Sequence, residues 1–226
     1  MNHNKSHEII GKCLECIPGN ILTPSYFYII LGHEAWKLDK YSEDIHEFHQ
    51  SRFIYNPVIL TGHHLYSCKI QNKWRRILLL EVNMGECTIV PIDLGGVIVA
   101  EAEELKELPL HLHTPPSLAI RAHLVGLLPT LNNIWSLASA NFITDLLCCA
   151  SYRAYFYYFQ LDTHSYGINI INRTGTVNIR QALINENLAR SGYRTIELLK
   201  YPHRYEDETD TDSDLESDDS GVSIDN

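Results

Sequence analysis

A chain of 226 residues with 45% hydrophobic and 20% charged content has a globular composition, with room for one large domain or two small ones. Its formal net charge of -10 is uneven, because residues 205–226 carry ten of the 28 acidic residues and no Lys or Arg, leaving 18 acidic against 18 basic elsewhere. A neutral body lacks the basic excess behind counterion-release affinity, so nucleic acid is a possible but unfavoured partner; with no long uncharged apolar run and a polar MNHNKSHEII start, no membrane partner or secretory leader is expected.

In chain order, residues 1–20 read as a polar lead-in ending near a Pro18-Gly19 turn. YFYII (26–30) suits a buried strand. Leu38, Tyr41, Ile45 and Phe48 recur at steps of three and four, the apolar face of a helix that Asn56-Pro57 ends. VIL (58–60), WRRILLLEV (74–82), CTIVPID (87–93) and VIVA (97–100) are short strand-like runs separated by polar turns, the spacing of a small antiparallel barrel. AIRAHLVGL (119–127) reads as a further strand. A helix with Ile134, Leu137, Ala138, Phe142 and Leu146 on its inner face follows, N-capped by Asn132 or Asn133. YFYYFQL (155–161) and YGINII (166–171) form a hairpin. A last helix over about 179–190 turns Ile179, Ala182, Leu183 and Leu188 inward, with Gly192 just past its end. The tail from Glu206 has too little apolar surface to offset chain entropy and is expected to be disordered. Thr209, Thr211, Ser213 and Ser217 stand among its carboxylates, a setting that suits acid-directed kinases.

The order of these segments resembles the extended Tudor domain. The resemblance rests on YFYII with its following helix, on KWRRI (73–77) through IVPIDLGG (89–96), on AIRAHLVGLLP with WSLASANFITDLL, and on VNIRQALINENLARSG (177–192). It implies a mostly β fold with α-helices: a Tudor-like small barrel, about 57–108, joined to a staphylococcal-nuclease-like, OB-type half at about 21–56 and 109–204. Residues 1–20 and 205–226 flank this unit. The family reads peptides, usually arginine-rich tails bearing symmetrically dimethylated arginine. A methylated guanidinium keeps its charge and gains apolar surface, so a cage of aromatic faces suits it. Here the cage positions that the resemblance implies carry Arg75, Pro91, Leu94 and a residue near Cys68, and the amide position is Gly96. None is aromatic.

The resemblance therefore implies a non-catalytic adaptor with a degenerate aromatic cage and no cofactor, binding a protein or unmethylated peptide through Trp74, Arg75, Pro91, Asp93, Leu94 and Gly96. The family setting is germline PIWI/piRNA silencing, with a PIWI-clade Argonaute or another Tudor protein as partner, in cytoplasmic, perinuclear granules. Two alternatives stay open: a single-stranded RNA-binding module using Tyr155, Tyr157 and Phe159, and a methylarginine reader with a rearranged pocket. Trp74 suits a core position as well as a ligand surface, and Asp93 suits turn stabilisation as well as ligand contact. Six irregularly spaced cysteines point to a reducing compartment. Cys13-x-x-Cys16 lacks a second ligand pair, since Cys148-Cys149 has the wrong spacing, and His63, His64, His111 and His113 read as surface histidines. Arg121 and Arg153 are too scattered for a phosphodiesterase site, and no G-x-S-x-G or phosphate-loop pattern occurs.

Overall fold

The computed structural model describes residues 8–51, 59–131, 133–148 and 152–192. The fold starts with β1 (Cys13–Thr23) and β2 (Tyr26–Leu31), followed by α1 (Trp36–Gln50). Next come β3 (Leu65–Ile70), β4 (Lys73–Asn83), β5 (Glu86–Pro91), β6 (Ile98–Glu101) and β7 (Lys106–Glu107). The chain continues through β8 (Ile120–Leu124), β9 (Leu127–Leu128), α2 (Leu137–Cys148), β10 (Tyr152–Gln160), β11 (Ser165–Asn172), α3 (Ile179–Asn185) and β12 (Arg190–Ser191).

Two β units result. One is a closed barrel, β1-β10-β11-β8-β2, in which only the β11–β8 pairing is parallel. Its interior is filled by Phe27, Ile29, Ala122, Phe156, Ile168 and Ile170, with α2 and α3 packed on it through Ile143, Leu147, Ile179 and Leu183. The other is a five-stranded antiparallel sheet, β6-β5-β4-β3-β7, inserted between β2 and β8 and curled around Cys68, Ile77, Leu79, Cys87 and Ile89. Its first two hairpins close through Gln71-Asn72 and Met84-Gly85, all four at positive φ, the geometry that matches the twist of two-residue hairpins. Helix α1 joins the units. It sets Leu38 beside Ile30 and Leu118 on one side, and Ile45 beside Leu108 and Leu112 on the other.

Several expectations change. Residues 13–23, partly assigned to the lead-in, form a barrel strand, because β1 finds ladder partners in both β2 and β10, which lie far apart in sequence. Pro18 sits in that ladder opposite Ile29, at an irregular register. LYSCKI, with a single charge and a half-apolar pattern, forms β3, which the sequence reading passed over. Of VIL (58–60), Ile59 and Leu60 lie in no strand, and Val58, Asn56 and Pro57 lie outside the described residues.

Helix α2 starts three residues later than expected. Its cap is Ser136, whose hydroxyl accepts the Ser139 N–H at 3.2 Å; Asn133 has φ 59, outside the extended region a cap needs, and Asn132 is not among the described residues. Ala140, Ile143 and Leu147 are its buried face, while Leu137 is 60% exposed. Asn141, Thr144 and Asp145 fall on the Leu137 side of this helix, so the apolar stripe that turns inward is the one carrying Ile143 and Leu147. Helix α3 ends at Asn185 rather than near 190, because Asn187 takes φ 56 and the Leu188 and Ala189 amides both bond to the Leu183 carbonyl. Gly192 instead bonds to Gly126 beside the β9–β12 pair.

The rotated face of α2 is directly checkable. Ile143→Ala should cost about 2–5 kcal/mol in urea unfolding, the scale of a buried large-to-small change. Leu137→Ala, on the face expected from the sequence to point inward, should stay within about 0.5 kcal/mol of the parent.

Candidate functional site

The turn between β5 and β6, residues 91–96, is the part of the sheet unit that reaches the closed barrel. A reverse turn forms because the Leu94 and Gly95 amides both bond to the Pro91 carbonyl, and Gly95 and Gly96 supply φ values of 78 and 80. These glycines also permit close approach. A Cβ on Gly95 would fall inside the Tyr28 ring, and one on Gly96 would collide with the Asn20 amide. From the other side, a Cβ on Gly19 would lie 2.5 Å from the Leu94 carbonyl oxygen, which accepts the Asn20 N–H at 2.8 Å.

Below this turn, Asp93 is 2% exposed and receives a two-point bond from Arg76, itself fully buried. Arg76 Nε donates to Asp93 Oδ2 at 2.8 Å and Nη2 to Oδ1 at 2.6 Å. The remaining guanidinium protons go to the carbonyls of Leu112 (3.1 Å), Pro115 (2.7 Å) and Pro116 (3.0 Å), so all five donors are satisfied. Asp93 Oδ1 also accepts the Leu118 N–H at 3.1 Å, and the guanidinium carbon lies 4.4 Å from the Tyr41 ring centre. Strand β4, the turn, the 108–118 connection and α1 thus meet at one ion pair.

The structure separates the six residues expected to line a partner groove. Asp93, Pro91 and Gly96 are buried. Asp93 is a structural carboxylate rather than a partner contact, because its oxygens already hold Arg76 and Leu118, and reversing its charge would break the fold rather than only weaken binding. Gly96 is covered by Asn20. Leu94 is half-buried against Ile30, Leu38 and Leu118. Arg75 is half-buried, donates to the Leu38 carbonyl at 3.2 Å, and has its guanidinium pKa lowered chiefly by burial. Trp74 packs on the second α1 cluster, with its ring centre 4.5 Å from that of His49 and the Lys69 ammonium 5.2 Å from its centre. Its indole N–H has no acceptor among the described residues. Cys68, near which the remaining cage position falls, is 1% exposed inside the sheet unit, and burial pushes its thiol up to about 11.

A neighbouring cluster escaped the sequence reading. Tyr26 and Tyr28 project from one side of β2, hydroxyls 3.0 Å apart and rings edge-to-face at 5.6 Å. The Arg121 guanidinium from β8 lies 3.9 Å from the Tyr26 ring centre. Burial and the Tyr26 hydrogen bond push the Tyr28 hydroxyl up to about 12, so it stays protonated near neutral pH. The 26/28 alternation within YFYII was a legible signal for a shared face. Its cation, 95 residues later in the chain, was not, because β2 and β8 meet only in the folded barrel.

Other candidates come apart. Cys13 is exposed and Cys16 buried on opposite sides of β1, and burial pushes the Cys16 thiol to about 12, so the pair presents no chelating face. Among the described residues no three His, Cys, Asp or Glu side chains converge as metal ligands. The Tyr155/Tyr157/Phe159 face is also broken. A register shift between Phe156 and Tyr158 leaves Tyr155 and Tyr157 outward, with ring centres 4.7 Å apart, and turns Phe159 onto Tyr166 at 4.8 Å.

A family model described as the Tudor domain matches residues 9–126. No curated protein matches the chain. Its fold is similar to the extended Tudor domain of human TDRD1, solved with a symmetrically dimethylated peptide: 16% identity, TM-score 0.69, covering 80% of this chain and 91% of that one. Domain TD3 of mouse TDRD1, solved with a MILI peptide containing dimethylarginine 45, gives 15% identity and TM-score 0.69 over 80% and 94%. The extended Tudor domain of Drosophila melanogaster Tudor-SN gives 18% identity and TM-score 0.70 over 84% and 89%. The closed barrel with its helices is thus a staphylococcal-nuclease-like half, and the inserted sheet a Tudor barrel.

The Arg76–Asp93 pair should dominate stability. Asp93→Ala leaves a buried, uncompensated guanidinium and should cost about 3–5 kcal/mol by chemical denaturation. The double replacement Arg76→Met/Asp93→Ala should recover part of that loss.

Proposed function

Because the chain belongs to the Tudor domain family, whose extended fold it shares, we propose that it is a non-catalytic adaptor that binds an unmodified peptide or a folded protein. The supporting observation is the chemistry at the family's cage positions: Arg75, Pro91, Leu94 and Gly96 offer no aromatic face, nor does Cys68, near which the last position falls. Arg75 would also repel a cationic guest. Nearby, the Tyr26 face is already occupied by Arg121 of the same chain. Cation–π capture of a methylated guanidinium has no ring left at these positions on which to act.

The setting we propose is germline small-RNA silencing, with a PIWI-clade Argonaute or another Tudor protein as partner, in cytoplasmic, perinuclear granules. Membership of the family supports this, as do the peptide-bound relatives: human TDRD1 with its symmetrically dimethylated peptide and mouse TDRD1 with its MILI peptide. A peptide-binding role also agrees with the neutral body charge, which gives RNA little electrostatic purchase.

Titration calorimetry with matched arginine-rich peptides, unmodified and symmetrically dimethylated, should give indistinguishable affinities. A clear methyl-dependent gain would overturn the proposal. Affinity capture from germ cells followed by mass spectrometry should return protein partners whose retention survives ribonuclease treatment.

A further inference from the structure

We propose that the open edge of β6 is a second docking site, which takes an extended basic peptide segment by strand addition. The proposal rests on the adaptor reading above and gives it a place on the molecule, along the strand that leaves the 91–96 turn. In the Tudor sheet, β6 pairs with β5 on one side, and among the described residues no strand pairs with its other side. Its register sets Ile98 opposite Ile89 and Ala100 opposite Cys87 toward the core, so Val97, Val99 and Glu101 face outward beside Thr88 and Glu86. Val99 is 64% exposed and Val97 47%. Uncovered valines on a free edge make a surface ready to pair, since the edge backbone supplies affinity and alternate side chains supply selectivity.

The charge around this edge identifies the occupant. From Ile77 to Leu105 the chain carries no Lys, Arg or His, while Glu81, Glu86, Glu101, Glu103 and Glu104 are all exposed. Glu86 and Glu101 are direct cross-strand partners, a like-charge pairing that disfavours the sheet unless a cation comes to lie beside it. None of the five glutamates takes part in an ion pair among the described residues. A second copy of this chain would bring glutamates against glutamates, so the same charge that attracts a basic strand rejects self-pairing. The fitting partner is a strand with apolar side chains beside Val97 and Val99 and Lys or Arg beside Glu86 and Glu101.

The test uses the full chain and a fluorescein-labelled peptide of alternating Val and Lys, followed by anisotropy and by amide shifts in nuclear magnetic resonance. Binding should weaken steeply with salt, shift the amides of residues 97–101, and fall roughly fivefold in Glu86→Gln/Glu101→Gln. Val97→Lys/Val99→Lys should abolish it while the thermal unfolding midpoint stays near that of the parent. An equally charged Lys–Pro peptide, which cannot complete a ladder, should not bind. Absence of Val–Lys binding, equal binding of the Lys–Pro peptide, or insensitivity to both edge variants would overturn the site and leave the glutamates as edge protection only. Concentration-dependent dimerisation in sedimentation, lost in Val97→Lys/Val99→Lys, would overturn it in favour of a second copy. The adaptor reading fails separately, when the full chain retains no protein partner from germ cells; partners retained equally by the edge variants sink this site alone.

Discussion

A single buried guanidinium holds this architecture in register. Arg76 stands in the middle of β4, and its side chain crosses to the β5–β6 turn through Asp93 and to the 108–118 connection through three backbone carbonyls. Ionised groups are costly to bury, and the offset comes from complete pairing: every donor of the fork has an acceptor, and the facing carboxylate takes an additional amide. Well-packed apolar residues would give comparable stability. What an ion pair adds is direction. The fork accepts one arrangement of turn, connection and strand, whereas a patch of leucines would tolerate several.

That direction has a functional consequence. A Tudor barrel inserted into another barrel needs a fixed orientation if the surface between them is to recognise anything. Helix α1 contributes two apolar clusters to the joint, and the 91–96 turn adds a second joint through Asn20, Tyr28 and three glycines whose missing side chains allow backbone contact. Half of the residues expected to grip a partner are spent on holding the protein together. Asp93, Gly96 and Pro91 are interior, while Trp74, Arg75 and Leu94 remain partly accessible at the rim. The β6 flank of the Tudor sheet, which no further strand covers among the described residues, combines exposed valines with glutamates and is chemically distinct from the cage region.

The amino-acid sequence by itself determined the order of the three helices and of most of the longer strands, the near-neutral body with its acidic tail, and the identity of residues at the cage positions. It did so because strand alternation, turn residues and charge are local properties: the YFYII strand, the α1 stripe from Leu38 to Phe48, the Asp93–Gly96 turn and the 155–171 hairpin could each be read within one short stretch of chain. Tertiary structure decided what depends on distant partners. It made residues 13–23 a barrel strand by supplying β10, set the start of α2 at Ser136 and its inner stripe on Ala140, Ile143 and Leu147, bent the tyrosine run through a register shift that periodicity cannot detect, and brought Arg121 onto Tyr26. It also turned Asp93 inward, because the arginine that claims it is 17 residues away and becomes its neighbour only when β4 and β5 pair.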